Sequence, residues 1–165
     1  MEPKGKNILV LGAGGAARAI TVELALAGAG RITICNRSTE RGEALVRDLK
    51  QRTSADAHFV SWPGTCAVGA GVDILVNATS IGLFPDVEAM PEVDLKSARG
   101  DLLVCDVVPN PPETRLIKTA RARGLKVLTG LPMLVYQGAI GFEMWTGRKA
   151  PEQAMRGALE KAFEV

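Results

Sequence analysis

A doubly wound α/β fold built on a parallel sheet is predicted by three observations. Short apolar runs alternate with helix-forming segments along the chain. The runs are nearly continuous in apolar character, as expected of strands covered on both faces. The first run, residues 7–11, passes directly into the glycine-rich stretch Gly12-Ala13-Gly14-Gly15-Ala16-Ala17. Together they predict a three-layer, Rossmann-type sheet of six strands in the order 3-2-1-4-5-6 with right-handed crossovers.

Each element has its own local reason. Residues 7–11 form the first strand, and residues 14–27, rich in alanine and leucine, form a helix closed by Gly28 and Gly30. Residues 31–36 are dominated by β-branched side chains and form the second strand. Ser38 caps a helix reaching residue 51, with Glu40 and Glu43 toward its positive end and Arg47 and Lys50 toward its negative end. Residues 57–60 form the third strand and residues 72–77 the fourth, which runs into a small-residue loop at 78–82. Pro85 and Pro91 keep residues 83–100 mostly irregular. A fifth strand at 102–107, a helix at 113–123 and a sixth strand at 126–129 follow. Helices at 132–146 and 151–163 close the chain, each with proline near its start.

The 165 residues suit one domain, spanning 1–165, and 47% hydrophobic with 23% charged residues is a globular composition. Twenty basic and 18 acidic side chains leave a charge of +2, which gives no argument for nucleic acid as a partner. No apolar run reaches the roughly 18 residues of a membrane span and no signal-peptide pattern opens the chain, so the cytoplasm is the simplest compartment. Cys35, Cys66 and Cys105 are odd in number and widely spaced, and read as reduced thiols rather than a disulfide framework or a metal site. His58, the single histidine, falls in the third strand and reads as an edge or surface residue.

The glycine turn carries the strongest chemical signal. Gly12 lets the chain turn tightly off the strand, Gly14 and Gly15 let backbone approach a pyrophosphate, and Ala17 fills the third position, where a small side chain permits close packing. Unpaired amides at the helix start, including that of Ala16, then face the diphosphate. The nucleotide is chosen at the end of the second strand, where an NAD site carries Asp or Glu. This chain carries Asn36-Arg37-Ser38-Thr39-Glu40-Arg41 instead. Asn36 can bond the adenosine ribose without repelling an added phosphate, Arg37 offers that phosphate a planar charged fork, and Arg41 and the Ser38 hydroxyl lie within reach. NADP is the cofactor this pattern favours.

Later loops complete the candidate site. Asn77 and Thr79, after the fourth strand, can orient ribose or nicotinamide by hydrogen bonds, with loop stabilisation as their alternative role. Val107 belongs to a second strand-end element, residues 105–114, in which the role of Asp106 does not follow from spacing. Gly130 gives backbone access to a flat ring, Met133 a soft apolar surface for nicotinamide, and Gln137, one turn on, an amide for a polyhydroxy substrate. Met133 as plain core and Gln137 as plain surface are the bland alternatives.

These motifs, with Asp106, Asn110-Pro111 and Thr114, resemble the carboxy-terminal NADP-binding domain of the shikimate/quinate dehydrogenase family. The resemblance implies reversible hydride transfer between NADP(H) and the shikimate/3-dehydroshikimate pair, a step of aromatic amino acid biosynthesis. It implies pyrophosphate at Gly15 and its neighbours, the adenosine phosphate at Asn36, Arg37 and Arg41, and ribose and nicotinamide near Thr79, Gly130 and Met133. It places Gln137 on the substrate side, and residues 133–145 against the family's other domain. Two departures stand out. Pro109 occupies a place where family members commonly carry a substrate-reaching tyrosine, which leaves quinate or another cyclic hydroxy acid open as substrate. The family's catalytic lysine and aspartate belong to an amino-terminal domain without counterpart here, and Lys4 and Lys6 lie too near the first strand to replace them. No catalytic residue is therefore assigned, and the isolated chain is expected to bind NADPH with negligible turnover. A standalone NADP-binding regulatory domain is the alternative from a different class. A methylene-folate-type dehydrogenase fits the glycine turn but not the regions of Asp106 and Gln137. An exposed apolar face on such a chain could serve either a homo-oligomer or a docked substrate domain.

Overall fold

Strand β1 (Asn7–Leu11) takes the central place in the sheet because residues 8–11 are buried on both faces. The computed structural model describes residues 1–163, so positions 164 and 165 of the expected domain span lie outside the described residues. Around β1 are α1 (Gly15–Leu26), β2 (Arg31–Asn36), α2 (Thr39–Arg52), β3 (Ala57–Ser61), β4 (Cys66–Ala67), β5 (Ile74–Asn77), β6 (Val93–Asp94), β7 (Leu103–Asp106), α3 (Arg115–Ala122), β8 (Lys126–Leu128), α4 (Leu131–Thr146) and α5 (Glu152–Phe163). Six strands form one parallel sheet in the order β3-β2-β1-β5-β7-β8. This is the 3-2-1-4-5-6 order expected from the sequence once the two-residue strands are set aside.

Period-two alternation sorts β1 between two cores. Ile8 and Val10 join Ile32, Ile34 and Val76 beneath α1 and α2, through Ala17, Leu45 and Leu49. Burying Leu45 and Leu49, one turn apart, contributes about 1.5–3 kcal/mol each. Leu9 and Leu11 join Leu75 and Val104 on the other face, covered by Leu116 and Ala120 of α3 and by Trp62, Val68 and Leu95. The segment between β3 and β5 is not a helix: β4 pairs in parallel with β6 and covers this face as extended chain. Val93–Asp94 thus supplies a strand inside the stretch expected to be mostly irregular, because a two-residue pairing has no period to read.

Helix ends follow their capping residues. Ser38 caps α2, its Oγ accepting from the Arg41 amide, and Thr114 caps α3, its Oγ1 accepting from the Ile117 amide. His58 lies exposed on the edge strand β3 beside Asp56, in keeping with the edge reading. Cys35 and Cys66 are buried with sulfurs 3.2 Å apart, while Cys105 is half-buried, and all three are free thiols. Helix α4 packs chiefly on α5 and leaves Tyr136, Ile140, Met144 and Trp145 exposed, Trp145 to 87%.

Candidate functional site

β1 has neighbours on both sides, β2 and β5, whose crossovers leave in opposite directions, so a crevice opens beyond the carboxyl ends of these strands. A cleft of about 510 Å³ occupies it, lined by residues 12–16, Asn36, Arg37, Arg41, Trp62, residues 78–81, Leu83, residues 107–109 and Met133. The sequence-predicted Gly12, Gly14, Gly15, Ala16, Asn36, Arg37, Arg41, Thr79, Val107 and Met133 are all brought together here.

The floor is the turn into α1. Gly12 has φ +101°, and a Cβ there would lie 2.9 Å from the Ala78 carbonyl oxygen, so the turn and the β5 loop can approach only at a glycine. A Cβ on Gly14 or Gly15 would meet no protein atom within 4 Å. The space above these two glycines is therefore clear for a ligand. Gly14 caps α1 without a side-chain bond, and no acidic residue lies in the first turn. The first-turn amides have no carbonyl four residues earlier within the helix, and the helix's positive end there favours an anion.

One end of the cleft is set by the loop from β2 into α2. Asn36 Nδ2 donates to the Ser38 carbonyl at 2.8 Å, which orders the turn and leaves its Oδ1 available. Arg37 and Arg41 are exposed at the cleft, and neither takes part in an ion pair among the described residues. Ser38 caps α2 and does not line the cleft. Its Oγ accepts from the Arg41 amide at 3.4 Å and keeps its own hydrogen to donate. Trp62 walls the cleft with its indole 6% exposed and its Nε1 donating to the Glu92 carbonyl at 3.2 Å. Sequence reasoning passed over Trp62, because a lone aromatic in a loop has no period or motif to announce it.

At the other end, Asn77 does not line the cleft. Its side chain is wholly buried: Nδ2 donates to Asp106 Oδ1 at 3.0 Å, and Oδ1 accepts from the amide and hydroxyl of Thr79. The loop-stabilising alternative is the role this geometry supplies. Asp106 also accepts from the Val108 amide at 3.0 Å and from Thr114 Oγ1 at 2.7 Å. Burial pushes its carboxyl above the ordinary range, while the bonds from Thr114, Val108 and Asn77 pull it back. Gly130 is buried beneath the β7 loop, where a Cβ would stand 2.5 Å from the Val108 carbonyl oxygen and 2.7 Å from that of Val107. Its lack of a side chain lets the β7 loop pack directly on it. Met133, half-buried in the first turn of α4, reaches the cleft, whereas Gln137 is exposed one turn further and lies outside the lining. Among the described residues no carboxylate, lysine, histidine or tyrosine lines the cleft, so a proton donor of those types is lacking there.

The family model described as Shikimate / quinate 5-dehydrogenase matches residues 2–112, and that of the Shikimate 5'-dehydrogenase C-terminal domain matches residues 130–160. The chain belongs to the shikimate / quinate 5-dehydrogenase family. Within it, the chain is 43% identical over 163 residues to the shikimate dehydrogenase (NADP(+)) of Desulforamulus reducens, covering 97% of this chain and 56% of that protein. Among solved structures it is 48% identical to the ligand-free 5-ketofructose reductase of Gluconobacter sp. strain CHM43, with a TM-score of 0.91 over 99% of this chain and 58% of that one. It is 38% identical to a shikimate dehydrogenase solved in complex with NADP+, with a TM-score of 0.87 over 97% of this chain and 55% of that one. The chain thus spans little more than half the length of the shikimate / quinate 5-dehydrogenase relatives it matches.

Proposed function

We propose that this chain is the NADP(H)-binding half of an oxidoreductase that transfers hydride between the nicotinamide and a polyhydroxylated cyclic acid, interconverting shikimate and 3-dehydroshikimate. The observation that carries the reading is the cleft's division of labour: unshielded amides over clear space at Gly14 and Gly15, two arginines without an ion pair among the described residues at one end, and Met133 with the β7 loop at the other. A dinucleotide phosphate suits that arrangement, since fixed amides and guanidinium forks both favour dianionic oxygen. When bound, the nicotinamide supplies the hydride. The protein's part is to hold the dinucleotide extended, fix the ring against an apolar wall and exclude water from it.

The proton that accompanies hydride must come from outside the lining described here. We assign that task to a companion substrate domain, docked across α4 where Gln137 and the exposed Tyr136, Ile140 and Met144 face outward. By this reading residues 1–165 act as one nucleotide-binding domain in the cytoplasm, where free Cys35, Cys66 and Cys105 stay reduced. The test is a pair of assays. The purified chain should bind NADPH yet reduce 3-dehydroshikimate negligibly; ordinary turnover by the chain alone would refute the division of labour.

A second reading concerns substrate alone. Pro109 lines the cleft and has no hydroxyl or amide hydrogen to offer, and the likeness to the 5-ketofructose reductase is close in both identity and shape. A polyhydroxy ketone in place of a cyclic acid fits both facts. A substrate panel of shikimate, quinate and 5-ketofructose on the chain joined to its substrate domain separates the two readings.

A further inference from the structure

The loops after β5 and β7 share a buried chain of hydrogen bonds whose direction is held from both ends, by the Asp106 carboxylate and by backbone amides of the β5 loop. Asp106, 2% exposed, takes three donors: Asn77 Nδ2 and the Val108 amide on Oδ1, and Thr114 Oγ1 on Oδ2. An ionised carboxylate only accepts and the Thr79 amide only donates, so Asn77 turns its NH2 toward Asp106 and its carbonyl oxygen toward Thr79. Thr79 must in turn spend its hydroxyl hydrogen on Asn77 Oδ1, at 2.7 Å, while its oxygen accepts from the Ile81 amide at 3.1 Å. One lone pair of Thr79 Oγ1 is left, on a residue that lines the cleft. The same carboxylate holds the Val108 amide, and the carbonyls of Val107 and Val108 rest on Gly130 at the start of α4.

We propose that Asp106 is a positioning residue: through Asn77 it fixes Thr79 as a hydrogen-bond acceptor toward the cleft, and through Val108 it fixes the wall beside Met133. The group Thr79 meets must then be a donor, such as a ribose hydroxyl, and not a phosphate or a carboxylate. The inference rests on the dinucleotide reading of the cleft and assigns the polarity of its nicotinamide end. An asparagine at position 106 with its oxygen in the Oδ1 place keeps the bonds from Asn77 and Val108 and turns only its NH2 toward Thr114, whereas alanine removes the acceptor that Asn77 and Val108 share.

Two probes separate this claim from the reading beneath it. Adenosine 2′,5′-bisphosphate occupies the adenosine end alone, while NADPH occupies both ends and reports its ring by fluorescence. In the full chain, Asp106→Ala should bind the bisphosphate like the unaltered protein and NADPH about tenfold more weakly, with a changed emission spectrum of the bound ring, and Asp106→Asn should restore both. Equal NADPH affinity, or equal loss with both probes, overturns the role of Asp106. Failure of the unaltered chain to bind either probe overturns the dinucleotide reading itself. Should Asp106→Ala not fold by circular dichroism, Thr79→Ser and Thr79→Val carry the test. Serine keeps the acceptor and should bind NADPH normally, whereas valine should lose about tenfold for NADPH alone. Identical behaviour of serine and valine overturns the proposal.

Discussion

Replacing Arg37 by alanine is the perturbation that isolates nucleotide choice. The side chain is exposed and has no ion pair among the described residues, so its removal breaks nothing that holds the fold. Folding stability should change by less than about 0.5 kcal/mol. A hydrogen bond to a charged partner is worth roughly 1.5–3 kcal/mol, and solvent at the open cleft trims this to about 1–2 kcal/mol. NADPH affinity should therefore fall about 5- to 30-fold, while NADH, lacking the phosphate, changes by less than about twofold. The Arg37→Ala/Arg41→Ala double variant should lose less than the sum of the single losses, because both guanidinium groups serve one phosphate. Raising salt should shrink the NADPH preference of the unaltered chain, since the contact lies at the solvent edge. Calorimetric titration with the two nucleotides decides the matter. Equal losses for NADPH and NADH would refute the argument, for they would mean that Arg37 meets a group the two cofactors share.

Further outcomes follow from the same geometry. Gly15→Ala should leave urea stability intact, because its Cβ enters clear space, yet weaken NADPH by more than about tenfold if pyrophosphate occupies that space. Gly12→Ala should cost about 1–3 kcal/mol in the same urea titration, from a backbone at φ +101° and a clash with Ala78. Asp106→Ala strands three buried donors and should cost about 2–4 kcal/mol by chemical denaturation. Burial raises the folded pKa of Asp106 above its unfolded value, so the folded state holds the proton more tightly. Its contribution to stability is full below the unfolded pKa and is lost as pH rises through the folded pKa. Urea midpoints taken from about pH 4 to pH 7 should show that loss in the unaltered chain and not in Asp106→Asn.

What was legible in the sequence was whatever repeats or punctuates. The six principal strands announce themselves by apolar runs, and their order follows from the glycine turn and the handedness of crossovers. The β4–β6 pair has two residues per strand, too few to show a period, and Trp62 sits in a loop that no pattern marks. The site residues divide along the same line. Gly14, Gly15 and Arg37 are expected at the site for properties of the residue itself, the absence of a side chain or the presence of a charge, and all three line the cleft. Asn77, Ser38 and Gly130 do not line the cleft, and a polar group or a glycine near a ligand reads the same in sequence whether it faces the ligand or braces the loop. Only the partners decide, and for Asn77 these are Thr79 and Asp106, the latter 29 residues away. The same holds for Cys35 and Cys66, 31 positions apart and side by side in the core.

A crystal structure of this chain with NADPH tests the central claim most directly. The account predicts pyrophosphate over the amides at the start of α1, the 2′-phosphate within hydrogen-bond distance of the Arg37 guanidinium, and the nicotinamide beside Met133. A dinucleotide seated elsewhere, or a 2′-phosphate turned away from Arg37 and Arg41 into solvent, would contradict it.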